Sequence, residues 1–103
     1  MQVDAKSLAQ AADAASAFLK SLANPIRLRI LCLVADQEVS VGELVEALKA
    51  RQSVVSQHLT LLRKDGLVRT RREGQTIRYA LADERVVGAM RYLQSAFCPR
   101  QGE

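Results

Sequence analysis

The chain has 103 residues, 49% of them hydrophobic and 25% charged, enough for one domain with a normal core and too few for two. Fifteen Lys and Arg against 11 Asp and Glu give a net charge of +4, a moderate excess that points to a polyanion or an acidic surface as partner. Aromatics at 4% and no Trp leave few stacking platforms for single-stranded nucleic acid. The longest stretch free of Asp, Glu, Lys and Arg, Gln52 to Leu62, falls far short of the roughly 20 apolar residues of a membrane span. Met1 to Lys6 lacks the basic-then-apolar pattern of an export signal, so no membrane partner and a cytoplasmic, reducing setting are expected. There, Cys32 and Cys98 are expected to be reduced, catalytic, metal-binding or redox-sensing rather than a structural bridge.

In chain order, Ser7 to Leu22 places Leu8, Ala11, Ala15, Phe18 and Leu22 at spacings of three and four, the thin apolar stripe of an Ala-rich amphipathic helix. Asn24-Pro25 restarts the pattern, with Asn as cap and Pro in the first turn. A second helix is predicted to about Ala35, with Ile26, Ile30, Leu33 and Val34 facing the core and Leu28 and Leu31 making it apolar on most sides. Ser40-Val41-Gly42-Glu43 has the form of a capping box and opens a third helix to about Lys49. Ser53 is expected to cap a fourth helix to Lys64, with Val55, Leu59 and Leu62 inward and Asp65-Gly66 closing it.

The period then changes from 3.6 to 2. Residues 67–72 and 75–81 read as two short strands around Glu73-Gly74, a hairpin that forms a wing. A last helix begins at Asp83-Glu84, carries Val86, Met90, Leu93 and Phe97 on one stripe, and is ended by Pro99. The fold class is therefore mainly α with a β-hairpin wing, a winged helix-turn-helix in a helical dimer. Residues 1–103 form one domain, with 7–22 and 83–98 for dimerisation, 40–64 as the helix-turn-helix and 67–81 as the wing.

Polar side chains open the fourth helix. Gln52, Ser53, Ser56, Gln57 and Thr60 suit base edges or phosphates in a groove, while the plain alternative is that they solvate a surface helix. Charge placement favours DNA. Residues 51–78 hold seven basic and two acidic side chains, a net +5, whereas the other 75 residues sum to −1. Arg69, Arg71, Arg72 and Arg78 on the hairpin are placed to grip backbone phosphates or the minor groove. His58, the one His, is expected to face DNA or pack rather than act as a base. The stripes of the first and last helices have little chain left to cover them, so they are candidates for a homodimer interface. Such a dimer presents two recognition helices about one DNA turn apart to a pseudo-palindromic operator.

The run Leu22-Ala23-Asn24-Pro25-Ile26-Arg27-Leu28-Arg29-Ile30-Leu31, the Ser53 to Leu62 helix, Lys64-Asp65-Gly66-Leu67-Val68 and the Arg72 to Tyr79 wing together resemble the ArsR/SmtB family of winged-helix repressors. The resemblance spans about Ala17 to Phe97. It implies a dimeric, non-enzymatic transcriptional repressor that leaves its operator when an inducer binds. Metal-sensing members carry a Cys-x-Cys motif on the third helix or an Asp/His set on the last. Here Val41 to Leu48 has no Cys and Arg85 to Phe97 no His, so no metal ligand and no cofactor is expected. With one His and two Cys, a tetrahedral site would need water or carboxylates to complete it.

Cys32 in its Ile30-Leu31-Cys32 context, together with Phe97-Cys98, resembles the dithiol of the persulfide-responsive BigR/SqrR/HlyU branch of that family. That likeness implies a reactive sulfur species as inducer and a disulfide or polysulfide between the two Cys as the switch. Residue by residue, Cys32 also fits a small buried hydrophobe, while Cys98 lies near the end of the chain beside Pro99 and the cation of Arg100. A metal(loid)-responsive repressor and a general oxidant sensor of the same family remain the alternatives.

Overall fold

A computed structural model describes residues 4–98. Five helices and three strands follow one another as α1 (Ala5–Leu22), α2 (Pro25–Asp36), β1 (Val39–Ser40), α3 (Val41–Leu48), α4 (Gln52–Lys64), β2 (Val68–Glu73), β3 (Thr76–Leu81) and α5 (Glu84–Phe97). Most helix starts are set by side-chain caps. Asn24 Oδ1 accepts from the Ile26 and Arg27 backbone N–H at 2.9 and 3.1 Å, with Pro25 in the first turn. At α3 the capping box is complete, since Glu43 N–H donates to Ser40 Oγ and Ser40 N–H to Glu43 Oε1. Asp83 caps α5 by accepting from Val86 N–H.

The expected Ser53 cap is not formed. Helix α4 begins at Gln52 with Arg51 as N-cap and no side-chain cap bond; the Val54 and Val55 N–H groups reach the Arg51 carbonyl instead. The helix starts early because Lys49 adopts a left-handed conformation, φ 55°, which turns the chain within three residues. At its far end the Gly66 N–H donates to the Arg63 carbonyl and the Leu67 N–H to that of Leu62, with Gly66 at φ 76°. This is a Schellman motif, and buried Leu62 and Leu67 supply its apolar contact.

The sheet has the antiparallel order β1-β3-β2. The hairpin of β2 and β3 closes through Gly74-Gln75, with Gly74 at φ 63°, and Glu73 pairs with Thr76. Strand β1 adds a third partner, Val39 opposite Tyr79 and Ser40 opposite Arg78. Two residues are too few to register as an alternating pattern, so the sequence reading holds only the hairpin.

Ile30, Leu31, Leu44, Val55, Leu59, Leu62, Val86 and Met90 are sealed in the core, which joins α2 to α5 and the base of the wing. Ile26 and Leu33 of α2, expected inside, are only half-buried, as is Leu28. Helix α1 is nearly free of this core. Phe18 and Leu22 touch it, Leu8 and Leu19 stay 56% and 61% exposed, and Ala11 and Ala15 are exposed with them. On α5 the stripe is buried at Val86 and Met90 and then runs off the protomer, with Phe97 76% exposed. Pro99, expected to end this helix, lies outside the described residues; within them α5 ends at Phe97 with Cys98 as C-cap.

Candidate nucleic-acid interface and cysteine pocket

At about 100° per residue, Gln52, Ser53, Ser56, Gln57 and Thr60 fall within one arc of roughly 140° on α4, and buried Val55, Leu59 and Leu62 lie outside it. Arg63 and Lys64 continue that arc to the helix end. Gln52, Ser53, Gln57, Thr60, Arg63 and Lys64 are exposed, while Ser56 is half-buried. The Thr60 hydroxyl donates to the Ser56 carbonyl at 2.9 Å, which orients it along the helix. His58 lies outside the arc. It is half-buried, and its Nδ1 accepts from Arg27 Nε at 3.3 Å, so it joins α4 to the start of α2. A cleft of about 400 Å³ separates α4 from the wing, lined by Leu59, Thr60, Arg63, Lys64 and Tyr79.

Pairing register divides the wing side chains between two faces. Val68, Thr70 and Arg72 share one face with Ile77, Tyr79 and Leu81, the face that packs on the core at its base. Arg69, Arg71 and Glu73 share the other with Thr76, Arg78 and Ala80. On that second face Arg71 grips the Glu38 carboxylate with Nε and Nη2, and Nη2 also reaches Glu73 at 3.3 Å. Arg78 donates to Glu73 at 3.1 Å and to Glu43 at 3.0 Å. Hydrogen bonds from these guanidinium groups hold Glu38 and Glu73 below the usual carboxylate range, and the Ser40 N–H does the same for Glu43 ahead of Arg78. Arg72 Nε donates to the Gly74 carbonyl across the turn. Among the described residues, Arg51, Arg63, Lys64, Arg69 and Arg72 have no carboxylate within 4.0 Å. Glu38 and Glu43 lie outside the basic segment in sequence, and nothing local marked them as its counter-ions.

Cys32 and Cys98, 66 residues apart, line the same apolar pocket of about 350 Å³. Leu28, Arg29 and Leu33 of α2 and Ala47 and Leu48 of α3 complete the wall. This pocket is why Leu28 and Leu33 are not fully covered. Both thiols are free, Cys32 half-buried and Cys98 exposed. Burial pushes the Cys32 thiol above its ordinary value, with the neighbouring Cys98 and Asp36 adding to it. Arg100, the cation expected beside Cys98, lies outside the described residues. No cluster of three or more His, Cys, Asp or Glu placed to hold a metal ion occurs among the described residues, and no helix there is long and apolar enough to cross a membrane.

A tight helical pair with a polar, cation-flanked outer arc, followed by a basic antiparallel hairpin, defines a winged helix-turn-helix DNA-binding unit. Residues 24–70 match the bacterial regulatory protein, arsR family. The transcriptional activator HlyU of Vibrio cholerae is 49% identical over 80 residues, covering 78% of this chain and 74% of that protein. The structure of reduced HlyU from the same organism superposes with a TM-score of 0.87 at 42% identity, covering 91% of this chain and 99% of the other. The transcriptional repressor BigR from Xylella fastidiosa superposes at 0.88 with 31% identity over 97% and 99% of the two chains. The chain belongs to the ArsR/SmtB family of DNA-binding transcriptional regulators and is a regulator rather than an enzyme.

Proposed function

We propose that this regulator is a homodimeric repressor released from a pseudo-palindromic operator when Cys32 and Cys98 are joined through sulfur. The observation that carries the reading is the shared pocket, in which two thiols distant in sequence face one apolar space. Exposed Cys98 attacks the sulfane sulfur of an organic persulfide, giving a Cys98 persulfide and releasing the donor's thiol. The Cys32 thiolate then attacks the Cys98 Sγ itself, breaking its bond to the outer sulfur and expelling hydrosulfide, which leaves a Cys32–Cys98 disulfide. If a second persulfide first lengthens the chain by one sulfur, attack on the middle sulfur gives a trisulfide and again hydrosulfide. A direct disulfide requires Cα atoms within roughly 4.4 to 6.8 Å, and each inserted sulfur relaxes that limit. Either product ties the end of α5 to α2 and re-aims the two recognition helices. The likeness to HlyU, solved in a reduced form, and to the repressor BigR supports this reading.

On the DNA side, Gln52, Ser53, Ser56, Gln57 and Thr60 face the major groove, with His58 at the edge holding α4 to α2. The wing, which carries Arg71, Arg72 and Arg78, lies along the backbone beside them. Intact-mass analysis after persulfide and after peroxide treatment, run beside operator release, tests the switch. A loss of two hydrogen atoms or a gain of bridging sulfur, absent in Cys32→Ser and Cys98→Ser, is expected with persulfide. Full inducibility in both variants, or an equal response to peroxide, rejects it.

A further inference from the structure

On one face of the wing, Glu38, Arg71, Glu73, Arg78 and Glu43 form a continuous row of ion pairs that alternates in sign. Three carboxylates against two guanidinium groups leave this row at −1, and adding Arg69, which shares the face, brings it only to neutral. A neutral surface does not attract phosphate by counterion release. Arg71 and Arg78 sit directly opposite each other in the strand pairing, where like charges repel, so Glu73 between them is needed for the hairpin itself. Glu43 Oε1 accepts at once from the Ser40 N–H, at 2.9 Å, and from Arg78, which ties the wing to the first turn of the helix-turn-helix. Glu38, in the loop before β1, ties it a second time through the fork of Arg71. Arg72 lies on the opposite face of the hairpin, the face whose Tyr79 lines the cleft to α4 with Arg63 and Lys64, and among the described residues these three cations have no carboxylate within 4.0 Å.

We propose a division of labour on the wing: Arg71 and Arg78 are positioning residues that Glu38, Glu43 and Glu73 lock against α3, and the hairpin's grip on phosphate falls to Arg72. This rests on the wing meeting DNA, and the test separates the two. A duplex of about 30 base pairs, selected by the wild-type protein from a randomised pool, spans two half-sites. Affinity is measured across a KCl series for wild type, Arg72→Ala, Arg71→Ala, Arg71→Lys and Glu38→Gln. Arg72→Ala is expected to flatten the salt dependence by about 0.9 for each phosphate it no longer neutralises. Arg71→Ala and Glu38→Gln are expected to weaken binding by about tenfold with the wild-type slope, because a misaligned wing loses fit rather than charge. Arg71→Lys, which keeps the charge but lacks the fork, matches Arg71→Ala. Glu38→Gln and Arg71→Lys keep the side-chain size and lie outside the core, so the comparison survives if Arg71→Ala fails to fold. Tighter binding by Glu38→Gln, or rescue by Arg71→Lys, overturns the proposal, since Glu38 would then be masking a cation that meets phosphate. Wild-type affinity that ignores salt removes the wing from the DNA interface and the proposal with it.

Discussion

Replacing Leu19 by Ser tests whether the uncovered stripe of α1 meets a second copy of the chain. Leu8 and Leu19 lie about 20° apart on the helix wheel, eleven residues along one stripe, and are 56% and 61% exposed in the protomer. Fully burying a Leu side chain contributes about 1.5–3 kcal/mol, so the uncovered three-fifths of Leu19 is worth about 1–2 kcal/mol when a partner covers it. A two-fold dimer counts each substitution twice, which makes about 2–4 kcal/mol, or roughly 30- to 700-fold in the dimer dissociation constant. Sedimentation equilibrium over a concentration series reads this directly. DNA binding by Leu19→Ser should fall with dimer population rather than with a changed salt slope. A dissociation constant within threefold of wild type would refute the reasoning, because the stripe would then have no partner to lose.

Other outcomes follow from single features of the structure. Leu59, 1% exposed on the inner side of α4, should cost about 2–5 kcal/mol on truncation to Ala, seen as a lower urea midpoint at unchanged slope. Cys32 should react with iodoacetamide more slowly than Cys32 in urea-unfolded protein at pH 7 and catch up as pH rises, since its raised value withholds the thiolate; equal rates would contradict the burial. Glu38, Glu43 and Glu73 have depressed values, so the stability their pairs contribute is complete above the ordinary carboxylate value of about 4.3 and is lost as pH falls through the lower folded values. Carboxyl NMR titration should place all three midpoints below about 4.3. Gly74→Ala should destabilise the hairpin by about 1–2 kcal/mol through its positive φ alone, because a Cβ there meets open space.

Much of the fold is legible in the sequence because its signals are local. The Asn24-Pro25 start, the Ser40/Glu43 box, the Gly66 closure and the Gly74 turn each act within a few residues, and each recurs in the structure. Ser53 misleads because it satisfies the cap preference as well as Arg51 fails it, while the left-handed Lys49 sets where α4 begins. Strand β1 leaves no local signal because its two residues are strand only by pairing with β3.

Sequence alone determined the order of the five helices and the hairpin, the outward arc of α4, the basic stretch from Arg51 to Arg78 and the two Cys residues, because periodicity and composition are properties of neighbours along the chain. Tertiary structure decided which charges are spent on one another and which face outward. Glu38 and Glu43 reach the wing from 33 and 35 residues away, and Cys98 meets the pocket of Cys32 across 66 residues. Those pairings depend on where the helices dock, and docking is set by the shared core of α2, α3, α4 and α5, which no local pattern specifies.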